Sequence, residues 1–97
     1  MRVFKVTDSV SIKGINQFIV CDSQSPVEIT LSRSTRGSNG FYHFKNVGSA
    51  AVTVTPQESD TIDGYASLTL NTNDSVCIMD YEEGRWIITL NNYVTPQ

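Results

Sequence analysis

Ala51-Val52-Thr53-Val54-Thr55-Pro56, the turn Asp60-Thr61-Ile62-Asp63-Gly64, and then Ser67-Leu68-Thr69-Leu70 form the stretch that decides the fold class. Apolar and hydroxylated residues alternate with a period of two, which places successive side chains on opposite faces of a strand. β-Branched residues suit a pleated, half-buried surface, and Asp-Gly is a corner signal between strands. The same grammar continues in Ser75-Val76-Cys77-Ile78-Met79-Asp80, the turn Glu82-Glu83-Gly84, and Arg85-Trp86-Ile87-Ile88-Thr89-Leu90. Trp86, Ile88 and Leu90 are in phase, so Trp86 is expected to face the core.

Upstream, Val27-Glu28-Ile29-Thr30-Leu31 alternates strictly, and Phe41-Tyr42-His43-Phe44-Lys45-Asn46 has strand character. Gln17-Phe18-Ile19-Val20-Cys21 is a continuous apolar run, which predicts a central strand buried on both faces. Arg2–Thr7 alternates, Val10–Ile12 is a short strand candidate, and Lys13-Gly14-Ile15-Asn16 is a turn. No window carries the i, i+3, i+4, i+7 spacing of an amphipathic helix. Turn signals recur roughly every 8 to 12 residues, as in small sandwiches and barrels. The expectation is an all-β chain of about eight short strands in a small, jelly-roll-like β-sandwich. Val27, Ile29, Val52, Val54, Val76, Ile78, Trp86 and Ile88 are expected to point inward. No internal repeat is evident. The 97 residues suit one domain, with N-terminal strands or an arm over 1–16, the main sandwich over 17–92 and a tail over 93–97.

A chain of this size buries roughly two-thirds of its unfolded surface, enough for one modest core. The net charge of −3 is unevenly placed: residues 1–56 hold six Lys or Arg and three carboxylates, whereas residues 57–97 hold Arg85 and seven carboxylates. Opposite potentials of this kind can orient one subunit against another. The acidic balance argues against nucleic acid as a partner, which needs a clustered basic footprint. No run approaches the ~18 apolar residues of a membrane helix, so no membrane partner is expected. The N-terminus reads as a strand, not a signal peptide, and the chain is expected to be complete from its own Met. Asn73-Asp74-Ser75 matches a glycosylation sequon, read as chance without a secretory signal. Cys21 and Cys77 are read as free thiols. A disulfide between neighbouring strands is the alternative.

The chemistry-bearing residues are sparse. His43 is alone, no Gly-x-Ser-x-Gly elbow exists, and His43 is read as a sheet residue, not a base. Asp60, Asp63, Asp80, Glu82 and Glu83 cluster near Gly64 and Gly84. Without calcium-loop spacing they are read as turn residues, not metal ligands. No enzyme activity, cofactor or metal is expected. The polar loop Ser32–Gly40 is the longest segment without strand pattern. Arg33, Arg36 and Asn39 in it, with Tyr65 and Tyr81, are the candidate partner contacts. A merely mobile loop is the alternative.

Phe44-Lys45-Asn46-Val47-Gly48, Val52-Thr53-Val54-Thr55-Pro56, Asp60-Thr61-Ile62-Asp63-Gly64, Ser75-Val76 and Gly84-Arg85-Trp86-Ile87-Ile88 form one ordered series. It resembles the series found in small β-domains of bacteriophage virion proteins: tail fibres, tailspikes, head fibres and capsid decoration proteins. Phe18–Asp22 and Ile29–Leu31 fit its front, so the resemblance spans roughly residues 17 to 90, most of a domain. It implies a non-enzymatic structural accessory protein, a homotrimer on the phage particle surface, made in the host bacterial cytoplasm. Other virion proteins of capsid or tail would be its partners. No collagen-like or coiled-coil segment is present, which favours a capsid decoration or a spike- or fibre-tip subunit over a long fibre. The alternative is a carbohydrate- or receptor-binding module that reads host surface glycans. A small hydrolase ranks below both.

Overall fold

The computed structural model describes residues 2–92 together with Thr95 and Pro96. The strands are β1 (Arg2–Val6), β2 (Val10–Ser11), β3 (Gln17–Cys21), β4 (Val27–Thr30), β5 (Phe41–Asn46), β6 (Val52–Thr55), β7 (Thr61–Ile62), β8 (Leu68–Leu70), β9 (Ser75–Glu82), β10 (Arg85–Asn92) and β11 (Thr95–Pro96). The described residues contain no helix. The fold is all-β, as the period-two pattern requires.

One sheet runs β1-β3-β5-β9-β10-β7 and the other β11-β8-β6-β4-β2. The chain changes sheet at each of the first eight strands, so its first half winds as a coil. β1, β3 and β5 pair in parallel in one sheet, and β2, β4 and β6 in parallel in the other. Parallel neighbours need a long crossover, and here each crossover contains a strand of the opposite sheet. A jelly roll is built from antiparallel strands. Here antiparallel pairing begins only when β8 meets β6, β9 meets β5, and β10 folds back on β9.

The coil also explains why no repeat is legible. Arg2 and its partner Gln17 are 15 residues apart, but Gln17 and its partner Tyr42 are 25 apart. The second turn is lengthened by the loop over 31–40, which breaks any constant period. Strand number exceeds the expected eight partly because the Asp60–Gly64 turn contains β7. Residues 95–96, expected in a tail, form β11 against β8. Tyr93, Val94 and Gln97 of that tail lie outside the described residues.

Inward residues of both sheets join one core of Ile19, Ile29, Phe44, Val54, Leu70, Ile78, Trp86 and their neighbours. Seven of the eight residues expected inward are buried: Val27, Ile29, Val52, Val54, Val76, Ile78 and Trp86. Ile88 is only partly buried and Leu90 is 69% exposed. For Leu90 the cause is a β-bulge. Ile88 faces Ile78 but Leu90 faces Cys77, so Thr89 is an extra residue that reverses the phase. β3 departs from expectation too. Ile19 and Cys21 are in the core, while Phe18 and Val20 lie half-buried on the outer face. Phe18 stacks there on His43 at 4.3 Å.

Successive turns of the coil are stitched at Asn46. Its Nδ2 donates to the carbonyls of Ala50 and Leu70, each at 2.9 Å, and its Oδ1 accepts from Gly48 N at 3.0 Å. Gly48 then lies so close to the preceding turn that an added Cβ would be 2.4 Å from Ser23 N.

Candidate functional site

The loop over 32–40 is the part of the chain that the strands do not absorb, and it lies across the β9–β10 hairpin. β9 carries Val76, Ile78 and Asp80 in phase on its inner face. A carboxylate at an inward position needs partners, because burying a bare charge is costly. Asp80 finds them in the loop. Its Oδ1 accepts from Ser34 Oγ at 2.6 Å and Thr35 N at 3.0 Å. Its Oδ2 accepts from Asn39 N at 3.1 Å and Asn39 Nδ2 at 2.9 Å. Asp80 N donates to Gly40 O at 2.8 Å. Burial pushes the Asp80 pKa up, but hydrogen bonds from Ser34, Gly37, Asn39 and Thr35 outweigh it and hold the carboxyl below its ordinary value.

Ser34 is fully buried. Its N–H donates to Asp60 Oδ2 at 3.0 Å, and its hydroxyl lies 2.7 Å from Glu82 O and 2.8 Å from Arg85 O as well as near Asp80. A hydroxyl has one proton for these three acceptors. Asp60, also buried, faces Arg33 Nη2 at 3.7 Å through Oδ1, which accepts no hydrogen bond from the described residues. Two acids from different turns thus clamp one serine and fasten the loop at its base.

The outer side of this assembly is open. Thr35, Arg36, Glu82 and Glu83 line a polar hollow of about 450 Å³. Arg36 adopts a left-handed backbone with φ of 57°. Arg85 Nη1 donates to Glu82 Oε1 at 2.7 Å, and its guanidinium lies 5.5 Å from the Tyr81 ring. Tyr81 is the unpaired residue of a second bulge, between Arg85↔Glu82 and Trp86↔Asp80, and is 49% exposed.

Of the sequence candidates, Arg36 lines the hollow and Tyr81 sits on the same hairpin. Arg33 is held beside Asp60. Asn39 is a structural tie to Asp80 and Arg33 O. Tyr65 belongs to the turn after β7, where it exchanges backbone hydrogen bonds with Ile62. Sequence reading missed Ser34 and treated Asp60 and Asp80 as ordinary turn residues. The legible signal was the phase of Asp80 with Val76 and Ile78.

His43 lies opposite Cys77 across β5 and β9, and no hydrogen bond joins them. Burial, then Lys45, lowers the pKa of His43. Both cysteines are free, and burial raises the Cys21 thiol to about 11. Among the described residues no cluster of three or more His, Cys, Asp or Glu could hold a metal. The chain matches no protein-family model, no curated protein and no solved structure with which it was compared.

Proposed function

We propose that this chain is a non-enzymatic structural accessory module of a bacteriophage virion. It works as a homotrimer on the particle surface, as a capsid decoration or a spike- or fibre-tip subunit, in contact with other virion proteins. The observation that supports this reading is where the ordered series falls. Asn46 stitches the coil, Gly48 permits close stacking of its turns, Asp60 clamps Ser34, Ile62 and Trp86 fill the core, and Gly64 turns the chain at φ of 82°. The series is therefore a code for a scaffold, as expected where a module contributes shape and contacts. In finer detail we infer a small β-sandwich whose first half is wound in parallel and whose second half is antiparallel. This differs from a jelly roll.

A second reading, binding of a host surface glycan, is favoured by one feature: exposed Tyr81 on the same hairpin as Glu82 and Glu83, which with Thr35 and Arg36 line a polar hollow. Aromatic faces next to hydrogen-bonding groups suit sugar rings.

Two measurements separate these readings. Light scattering after size exclusion should give about three times the chain mass of 10.7 kDa. Labelled protein should bind empty phage capsids and leave host cells unlabelled. A 10.7 kDa monomer at micromolar concentration removes the trimer. Binding to cells but not capsids favours the glycan reading.

A further inference from the structure

We propose that the open end of the coil docks a second copy of this chain, stacked end-on in the same orientation, so that both sheets continue from one copy into the next. This inference rests on the strand topology and is independent of the virion reading. A trimer formed side by side would leave the ends of the coil free.

The first turn of the coil spans only 15 residues between Arg2 and Gln17, and its strand in the second sheet, β2, is two residues long. So short a turn cannot close the core. A mostly apolar hollow of about 280 Å³ opens there, lined by Phe4, Val6, Val10, Ile12 and Ile19 together with Lys5, Ser11, Lys13 and Gln17. The free edges of β1 and β2 flank it, since each pairs on one side only among the described residues. Wound folds need a cap where the stack ends, and an exposed sheet edge is a template for another strand.

The far end offers a matching surface. β10 pairs with β7 only at Arg85 and Trp86, and the turn to Tyr65 covers the edge of β7. Ile88–Asn92 of β10 therefore have no second partner among the described residues. In the second sheet β11 is the last strand. Strand polarity selects the occupant. β9 is antiparallel to β5 and β10 antiparallel to β9, so β10 points the same way as β1. Two antiparallel steps, β6 to β8 and β8 to β11, likewise make β11 point the same way as β2. A copy translated along the stack would meet a parallel neighbour at both seams at once. Both sheets would be extended by strand addition.

Charge agrees. Residues 2–16 carry Arg2, Lys5 and Lys13 against Asp8, a net of +2, whereas residues 57–66 present Glu58 and Asp63 with no Lys or Arg, Asp60 being buried beside Arg33. Like ends repel and unlike ends attract, which favours head-to-tail contact. Of the eight exposed large apolar side chains among the described residues, Val3, Val10 and Ile15 belong to the first turn and Tyr65 and Leu90 to the other end, while Val47, Met79 and Tyr81 lie elsewhere. A contact of this kind is heterologous and can repeat.

The test uses two variants at exposed positions, Val10→Glu and Leu90→Lys. The first puts a carboxylate in the open end against an acidic partner. The second puts a cation at the far end against a basic one. Circular dichroism verifies that both fold, and sedimentation equilibrium reads mass from micromolar to millimolar concentration. The wild-type mass should rise with concentration, while each variant alone should stay at its smallest mass. An equimolar mixture should associate again, to at least twice that mass, because each variant keeps one intact end. A wild-type mass that does not change with concentration overturns the proposal and leaves the open end to a different partner. Variants that still grow alone, or that fail to pair when mixed, overturn it too.

Discussion

Ser34 and Asp80, 46 positions apart, share a 2.6 Å hydrogen bond inside the protein, and it fastens the longest loop to the β9–β10 hairpin. A charged acceptor makes such a bond stronger than one between neutral groups. Ser34→Ala removes the donor and leaves a buried carboxylate short of a partner. It should destabilise by roughly 1–3 kcal/mol, read from the urea midpoint. A cost under about 0.5 kcal/mol would show that the loop does not depend on this bond.

The same carboxylate predicts the acid limb of the stability curve. The Asp80 pKa is lower in the folded chain than when unfolded, so its contribution is fully present above the unfolded value and is lost as pH falls through the folded value. Thermal midpoints should therefore fall on acidification below about pH 4, the ordinary range for an Asp carboxyl. Asp80→Asn should flatten that fall and be less stable at neutral pH. An unchanged acid limb in the variant would assign the loss to other carboxylates.

Gly48 and Gly64 should respond differently to alanine. At Gly48 the new Cβ would be 2.4 and 2.5 Å from the backbone N and O of Ser23, so one turn of the coil must move off another. Overpacking of this kind costs roughly 1–3 kcal/mol. At Gly64 there is open space but φ is 82°, and the cost is about 1 kcal/mol of backbone strain. Chemical denaturation of the pair should rank Gly48→Ala as the more damaging. The reverse order would mean that the turns do not stack this closely.

Trp86 is fully buried, 5.6 Å from Tyr42 between ring centres, and its indole N–H meets no acceptor among the described residues. Trp86→Ala should cost roughly 3–5 kcal/mol through the cavity it leaves. Trp86→Phe should cost clearly less, because it keeps most of the ring and removes an unsatisfied donor. Equal costs would show that the N–H has a partner.

Cys77 is half-buried and Cys21 is buried with a raised pKa. Alkylation of the native protein without reductant should modify Cys77 first and leave Cys21 until unfolding. The reactive species is the thiolate, which burial suppresses. Mass spectrometry showing neither thiol modified after unfolding, with a mass two hydrogens short, would instead reveal a disulfide.

What the sequence determined by itself was the strand character of each segment and most of the inward set. Val27, Ile29, Val52, Val54, Val76, Ile78 and Trp86 are buried as their alternation predicts, because side-chain direction along a strand is a local property of the backbone. Only the tertiary structure decided which strand lies beside which. Parallel winding of β1 to β6 depends on contacts between residues 15 to 25 positions apart, and unequal turns erase any period. The bulge at Thr89 is equally non-local, since it is set by what β9 presents to β10, and it sends Leu90 outward against its phase. The loop residues show the same division. Polarity marked Arg33, Arg36 and Asn39 as loop residues, but only folding brought Asp60 and Asp80 to Ser34. That made Asn39 a structural tie and left Arg36 beside the open hollow. Hydrogen-bond partners of a buried charge come from wherever the chain returns, which no local pattern records.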